Sequence, residues 1–280
     1  ILRAPPRPRR RDAPRRPPRR HTWEAMRLHG FALLSLLTAA AARKKGGSES
    51  GGCDRRHLPG GAEGGRTSSH HGEFHGMRRT WHVHVPKGYE HGRPVPLVMA
   101  IHGWQRSGKY YENASGLTEV SDALERGFVV VYPDGFADNA GASDDGWHSW
   151  NVVGTTQSPG PDGPICAPKA DHPEYCYESC QCEERPQCSW TTCANDITPR
   201  GVGTSEVTGF LPRLLDQLLD EYCVDVDRLY VTGESNGGMA TYQMGVSLSH
   251  RLAAIAPTCG SFARGFAQVP AVPLPGMDVH

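Results

Sequence analysis

The tightest restriction on the fold of this chain comes from a serine placed between two glycines. An apolar run at residues 229–231 leads directly into the pentapeptide 233–237, GESNG, and a helical pattern follows. Because glycine has no Cβ, Gly233 and Gly237 permit a very tight strand-to-helix turn. Such a turn exposes the Ser235 hydroxyl at a helix N-terminus, where backbone N–H groups favour negative charge. We therefore expect Ser235 to be a nucleophile; the alternative is a tight turn with an idle hydroxyl.

Strand and helix patterns alternate on both sides of this corner. Continuous apolar runs at 95–103 and 128–135 are typical of strands buried on both faces. Further strands are predicted at 78–86, 228–232 and 253–257, and an apolar piece at 272–280 follows. Helices are predicted at 117–127, with Gly127 as the C-cap, at 205–222, and from the corner to about residue 248. The order indicates an α/β fold with a mostly parallel sheet and flanking helices.

The composition of the first 69 residues predicts that they form no folded core. Residues 1–25 are rich in arginine and proline, which predicts disorder; they are either a nucleic-acid or membrane arm or sequence translated upstream of Met26. Residues 26–42 have the layout of a secretory signal peptide, too short to span a bilayer. The Gly/Ser-rich residues 43–69 predict a flexible linker before a catalytic domain at 70–280. We expect a secreted protein with no membrane span and no nucleic-acid partner; the sequence does not predict its oligomeric state.

The nine cysteines fit an exported protein. Six crowd into one segment and lack the C-x2-C pairs of zinc sites, so we expect disulfides and no metal: Cys166, Cys176, Cys180, Cys182, Cys188 and Cys193. Cys223 and Cys259 would lie at opposite ends of a parallel sheet, too far apart to pair. We expect Cys259 to pair with the cysteine-rich segment or with a downstream cysteine. Asn113 begins a glycosylation sequon.

Acyl-transfer chemistry at Ser235 also needs backbone N–H groups that bind an oxyanion. Asn236, directly after the serine, supplies one candidate N–H group. The second candidate is the N–H of Trp104, in the loop after the strand at 95–103. His102 stands in the same loop, and we expect it to shape the loop rather than to act as the base.

Six segments carry a resemblance to a known family, over most of residues 74–280: PLVMAIHGWQRSG, GFVVVYPDG, WHSWN, CSWTTC, YCVDVDRLYVTGESNGGMATY and AAIAP. They resemble the secreted esterases that include feruloyl esterases and polyhydroxybutyrate depolymerases. The resemblance implies an α/β-hydrolase fold and a cofactor-free serine esterase acting on phenolic-acid esters of plant-type polysaccharide or on polyesters. It also implies that Trp147, Trp150 and a cysteine-rich insertion at about 137–204 roof the acyl pocket; ordinary packing is the alternative for the tryptophans.

The resemblance also implies a triad acid and a histidine that follow the serine. His250 stands at the far end of the helix that begins at the serine, about 20 Å away by helix rise. Asp278 and His280 lie two apart on an expected strand, side by side rather than on separate loops. We therefore expect the chain to stop short of the acid and histidine and its last strands. Without those two residues, the kcat of this chain would be about 10⁶-fold lower than that of an enzyme with a complete triad.

Four other interpretations stay open. An acetylxylan esterase or a serine peptidase would use the same serine turn. An inactive homologue that binds polysaccharide is the alternative outside the enzymes. Nucleic-acid binding through the arginine-rich start is the fourth.

Overall fold

The computed structural model describes residues 48–74, 77–137, 148–150, 159–160, 163–164, 209–261 and 270–277. Its strands are β1 Arg66–Phe74, β2 Met77–Val85, β3 Val95–Ile101, β4 Val129–Pro133, β5 Phe136–Ala137, β6 His148–Ser149, β7 Pro159–Gly160, β8 Gly163–Pro164, β9 Val224–Glu234 and β10 Ala254–Thr258. Its helices are α1 Gly108–Ser115, α2 Leu117–Ala123, α3 Phe210–Glu221 and α4 Asn236–Ser247.

Six strands form one mixed sheet in the order β1-β2-β4-β3-β9-β10. Strands β4, β3, β9 and β10 run parallel, whereas β1 and β2 are antiparallel additions at one edge. The predicted parallel α/β sheet is therefore confirmed. Beyond β10, Ile255 exchanges two backbone hydrogen bonds of 3.1 Å with Pro275 and Met277, so the chain there begins to pair as a further strand.

Apolar side chains cover both faces of the sheet. On one face, β3 and β9 pack with the buried stripe of α3, which is Phe210, Leu211, Leu214, Leu215 and Leu218. On the other face, Tyr111 of α1 and Leu117 of α2 pack over Val98, Val130 and Tyr230. Every residue of β4 is buried, as the continuous apolar run predicts. The sheet is thus a rigid platform for the loops at its edge.

The predicted flexible linker is wrong for residues 48–69. Cys53 forms a disulfide with Cys223, 170 residues away, at the start of β9. The Ser50 hydroxyl donates to the Tyr222 carbonyl at 2.7 Å and accepts from the Val224 N–H at 2.9 Å. A short 3-10 helix, Gly51–Asp54, sits so close to Tyr222 that a Cβ on Gly52 would lie 2.2 Å from its carbonyl oxygen. The folded domain therefore begins before residue 70, and the β1 strand follows.

Two details differ at helix α2. It ends at Ala123 rather than at residue 127, and Leu124 is exposed instead of facing the core. The Ser121 hydroxyl accepts from the Phe128 N–H at 3.0 Å and donates to the Phe128 carbonyl at 2.6 Å. These two side-chain hydrogen bonds bring Phe128 back to Ser121, so the helix ends before residue 127 and the chain turns into β4.

Residues 1–47, the six clustered cysteines and Trp147 lie outside the described residues. As predicted, Cys259 does not pair with Cys223, which is bonded to Cys53. Cys259 carries a free, exposed thiol, whereas we expected a disulfide to the cysteine-rich segment or to a downstream cysteine. Asn113 is exposed on α1, and its glycosylation stays a prediction. Among the described residues, no helix is long and apolar enough to cross a membrane.

Candidate active site

Ser235 occupies a sharp corner between β9 and α4. Its backbone angles are φ 54° and ψ −115°, a conformation that costs a non-glycine residue about 1–3 kcal/mol. The Ser235 N–H donates to the Thr258 carbonyl at 2.8 Å, which ties the corner to the end of β10. Ser235 is exposed while the next three residues are buried. The predicted serine-exposing turn is confirmed, and the nucleophilic role stays a prediction.

The two glycines of the corner are required by close backbone contacts. A Cβ on Gly237 would lie 2.2 Å from the Ile101 carbonyl oxygen and 2.5 Å from that of His102. A Cβ on Gly233 would lie 2.4 Å from the Gly237 carbonyl oxygen. Any side chain at either position would push α4 away from the end of β3. The glycines thus hold the serine corner against the loop that follows β3.

That loop contains the other predicted oxyanion donor. A Cβ built on Gly103 would lie 3.4 Å from the Ser235 Cβ, so the loop backbone passes directly beside the serine. Trp104 follows Gly103 and is 42% exposed. On the other side Asn236 is the first residue of α4, where the helix does not use its backbone N–H groups. The structure therefore brings both predicted donor segments to Ser235, and their role as an oxyanion hole stays a prediction.

His102 shapes this loop, as predicted. Its Nδ1 donates to the Gly103 carbonyl at 2.7 Å, and its Nε2 accepts from the Gly135 N–H at 2.9 Å. Burial lowers the pKa of His102 to about 4, because the charged ring would lose its water. The ring is neutral at pH 7 with both nitrogens engaged. His102 is therefore not available to take a proton from Ser235.

Trp150 is a residue whose contacts the sequence did not predict. Its backbone N–H donates to the Asn236 side-chain oxygen at 2.7 Å, and its carbonyl accepts from the Asn236 side-chain nitrogen at 3.2 Å. Its indole N–H donates to the His102 carbonyl at 2.9 Å. Trp150 thus connects the two segments on either side of the serine, through its backbone to Asn236 and through its indole to the carbonyl of His102. Only the WHSWN segment pointed towards this region.

The predicted pocket-lining role of Trp150 is wrong. The residue is completely buried, so its ring offers no surface to a substrate. The indole instead packs 5.0 Å from the His102 ring, between centroids. A buried indole needs a hydrogen-bond acceptor, and the His102 carbonyl supplies it. The alternative of structural packing applies to Trp150.

The described residues supply no evident triad partner for Ser235. His102 is engaged, and His250 is exposed beyond the far end of α4. Asp278 and His280 lie outside the described residues. The site as described therefore consists of the serine, its corner and the two donor segments.

A mixed sheet with helices on both faces and a serine corner between β9 and α4 makes this an α/β-hydrolase fold, as predicted. No family model matches the chain. The chain is 24% identical over 205 residues to a bifunctional acetylxylan esterase/xylanase of Neocallimastix patriciarum, a match that covers 73% of this chain. The chain spans about a fifth of the length of that curated relative, 21%.

Solved structures of esterases are also similar to this chain. An acetyl xylan esterase from Aspergillus awamori matches with 17% identity and a TM-score of 0.40, over 70% of this chain and 53% of that one. A ferulic acid esterase matches with 15% identity and a TM-score of 0.39, over 70% of this chain and 60% of that one.

Proposed function

We propose that the protein is a serine carboxylic-ester hydrolase acting on ester groups of plant-type polysaccharide. The observation that carries the proposal is the exposed, strained Ser235 between two glycines that admit no side chain. The 24% identity to an acetylxylan esterase/xylanase supports a polysaccharide ester as the substrate. The resemblance of the motifs to feruloyl esterases supports phenolic acyl groups; acetyl groups are the second candidate. Polyhydroxyalkanoate esters are a third.

The chemistry proceeds through an acyl-enzyme. The Ser235 oxygen bonds to the acyl carbon, and the ester oxygen leaves with a proton as the polysaccharide hydroxyl. Backbone N–H groups of Asn236 and Trp104 bind the oxyanion formed on the way. Water then releases the acid and restores the serine hydroxyl. The proton transfer needs a histidine, and His102 cannot supply it because both ring nitrogens are engaged.

Secretion is part of the proposal. The signal-peptide layout at 26–42 supports it. The Cys53–Cys223 disulfide supports it as well, since such bonds persist in oxidising compartments.

Turnover of four substrates by the natural protein tests the function. We expect hydrolysis of methyl ferulate or acetylated xylan, and none of a peptide; polyhydroxybutyrate granules test the polyester. The Ser235→Ala variant should lose about 10⁶-fold in kcat where a complete triad is present. Polysaccharide binding without hydrolysis in the natural protein would instead indicate an inactive homologue.

A further inference from the structure

A polar cleft of about 300 Å³ lies between the β1–β2 pair and the start of α1. We call it the β1–β2 cleft. Every side chain that lines it is polar; Ser69, His71, Arg78, His82, Lys109 and Asp134 are those used below. Its volume is at the lower end of the range for small-ligand pockets, about 300–1,000 Å³. A site of this size, lined by such side chains, can hold one sugar residue.

The carboxylate in this cleft is held by donors of the protein itself. Asp134 accepts from the Gly108 N–H and the Thr80 hydroxyl, each at 2.6 Å, and lies 3.4 Å from His82 Nε2. Burial alone would raise the pKa of Asp134, but these donors outweigh it and hold the pKa well below its usual range. Asp134 therefore stays ionised, and both of its oxygens are occupied by donors of the protein itself.

Positive groups remain at the mouth. Arg78 is exposed there, and its five N–H donors can bind a carboxylate in a fork even though Glu73 is its cross-strand neighbour. Lys109 is also exposed, but its ammonium is 2.7 Å from Glu112, which offsets part of its charge. Arg78 is thus the main candidate for binding an anionic group.

The remaining lining groups suit hydroxyls. The Ser69 hydroxyl is 2.8 Å from His82 Nδ1, and His71 is exposed beside them. Among the described residues no three histidine, cysteine or carboxylate side chains converge as a metal site requires. Both ring nitrogens of His82 are engaged, by Ser69 and Asp134, so His71 is the imidazole at the cleft that is placed for a hydrogen bond to a ligand.

The cleft lies at the same edge of the sheet as Ser235. Trp81 of β2 pairs with Pro133 at the end of β4, so Arg78 and Asp134 stand beyond the carboxyl end of β4. Ser235 stands beyond the carboxyl end of β9, which is two strands from β4 and three strands from β2, the strand of Arg78; at normal strand spacing these separations are about 10 Å and 14 Å. The two places are also linked, because His148 lines the cleft and its carbonyl accepts from the Gln105 N–H at 3.0 Å.

We propose that the β1–β2 cleft binds a hexuronic acid residue of the polysaccharide whose ester reaches Ser235. The sugar carboxylate pairs with the Arg78 guanidinium, and the sugar hydroxyls bond to Ser69 and His71. That the ligand is a polysaccharide rests on the proposed function. The proposal adds that this polysaccharide is acidic.

Calorimetric titration of the full chain carrying Ser235→Ala tests the site without turnover. The probes are a xylo-oligosaccharide with a glucuronic acid branch, the same oligosaccharide without the acid, and inorganic phosphate. We expect the acidic form to bind about tenfold more tightly, and Arg78→Gln to remove that difference. Arg93→Gln changes an exposed arginine that pairs with Glu90 outside the cleft, and it should change nothing.

Equal affinity for the two oligosaccharides would overturn the proposal. So would phosphate binding as tight as that of the acidic oligosaccharide, which would indicate a simple anion site. In the natural protein, Arg78→Gln should raise KM for an acidic polysaccharide ester and leave that for a small aryl ester unchanged. If the protein bound the acidic oligosaccharide selectively but hydrolysed no ester, the cleft proposal would be supported and the proposed function refuted. If it hydrolysed esters but bound both oligosaccharides equally, only the cleft proposal would be refuted.

Discussion

Replacing Gly237 by alanine should disable the serine corner. The new Cβ would lie 2.2 Å from the Ile101 carbonyl oxygen, where real contacts begin at 3.0 Å, so the backbone must separate by about 0.8 Å. Both close atoms belong to the backbone of β3 and its loop, which cannot rotate away. Overpacking of this kind costs about 1–3 kcal/mol in the free energy of unfolding. A displacement near 1 Å at a reacting centre also costs about 100-fold in rate.

Urea denaturation and aryl-ester turnover in the natural protein measure the two effects. Gly51→Ala is the matched control, because its Cβ would have ordinary room at 3.5 Å from an Asp220 oxygen. We expect the control to change the rate by less than twofold. If Gly237→Ala retained the stability and the rate of the control, then the close contact between α4 and the loop after β3 would be refuted.

Three further changes have calculable outcomes. Replacing Cys53 and Cys223 together by serine opens a loop of 170 residues and should lower the free energy of unfolding by up to about 5 kcal/mol, whereas Cys259→Ser should have little effect; equal urea midpoints would contradict this. Because the folded pKa of His102 is about 4 against 6.5 when unfolded, its stabilising contribution is complete above pH 6.5 and falls by about 3 kcal/mol as the pH drops to 4. Thermal unfolding across that range should show this slope, and His102→Gln should remove it. Trp150→Phe loses the hydrogen bond to the His102 carbonyl, about 1 kcal/mol, and should lower kcat several-fold with KM unchanged; a change in KM alone would contradict the positioning role.

The sequence predicted the features that depend on local chemistry. The turn at Ser235 followed from two glycines between a strand and a helix, and the buried face of α3 from helical spacing. His102 was interpreted correctly as a residue that shapes its loop, because it precedes the serine in the sheet, whereas the base is expected to follow it.

Features that depend on distant contacts were missed. Residues 48–69 have a linker composition, but a disulfide and the Ser50 hydrogen bonds attach them to residues about 170 positions away. A tryptophan such as Trp150 is typical of a pocket wall, yet its hydrogen bonds to Asn236 and His102 orient its ring into the core. Neither partner could be read from spacing, because both contacts arise only when the sheet is assembled.

The most direct test of the account is to trap the acyl-enzyme and locate it. The natural protein is mixed with an activated aryl ester, quenched in acid, and analysed by intact mass and peptide mapping. We predict one acyl adduct per chain on Ser235, absent in Ser235→Ala together with turnover. An adduct on another residue, or undiminished turnover in Ser235→Ala, would contradict the account.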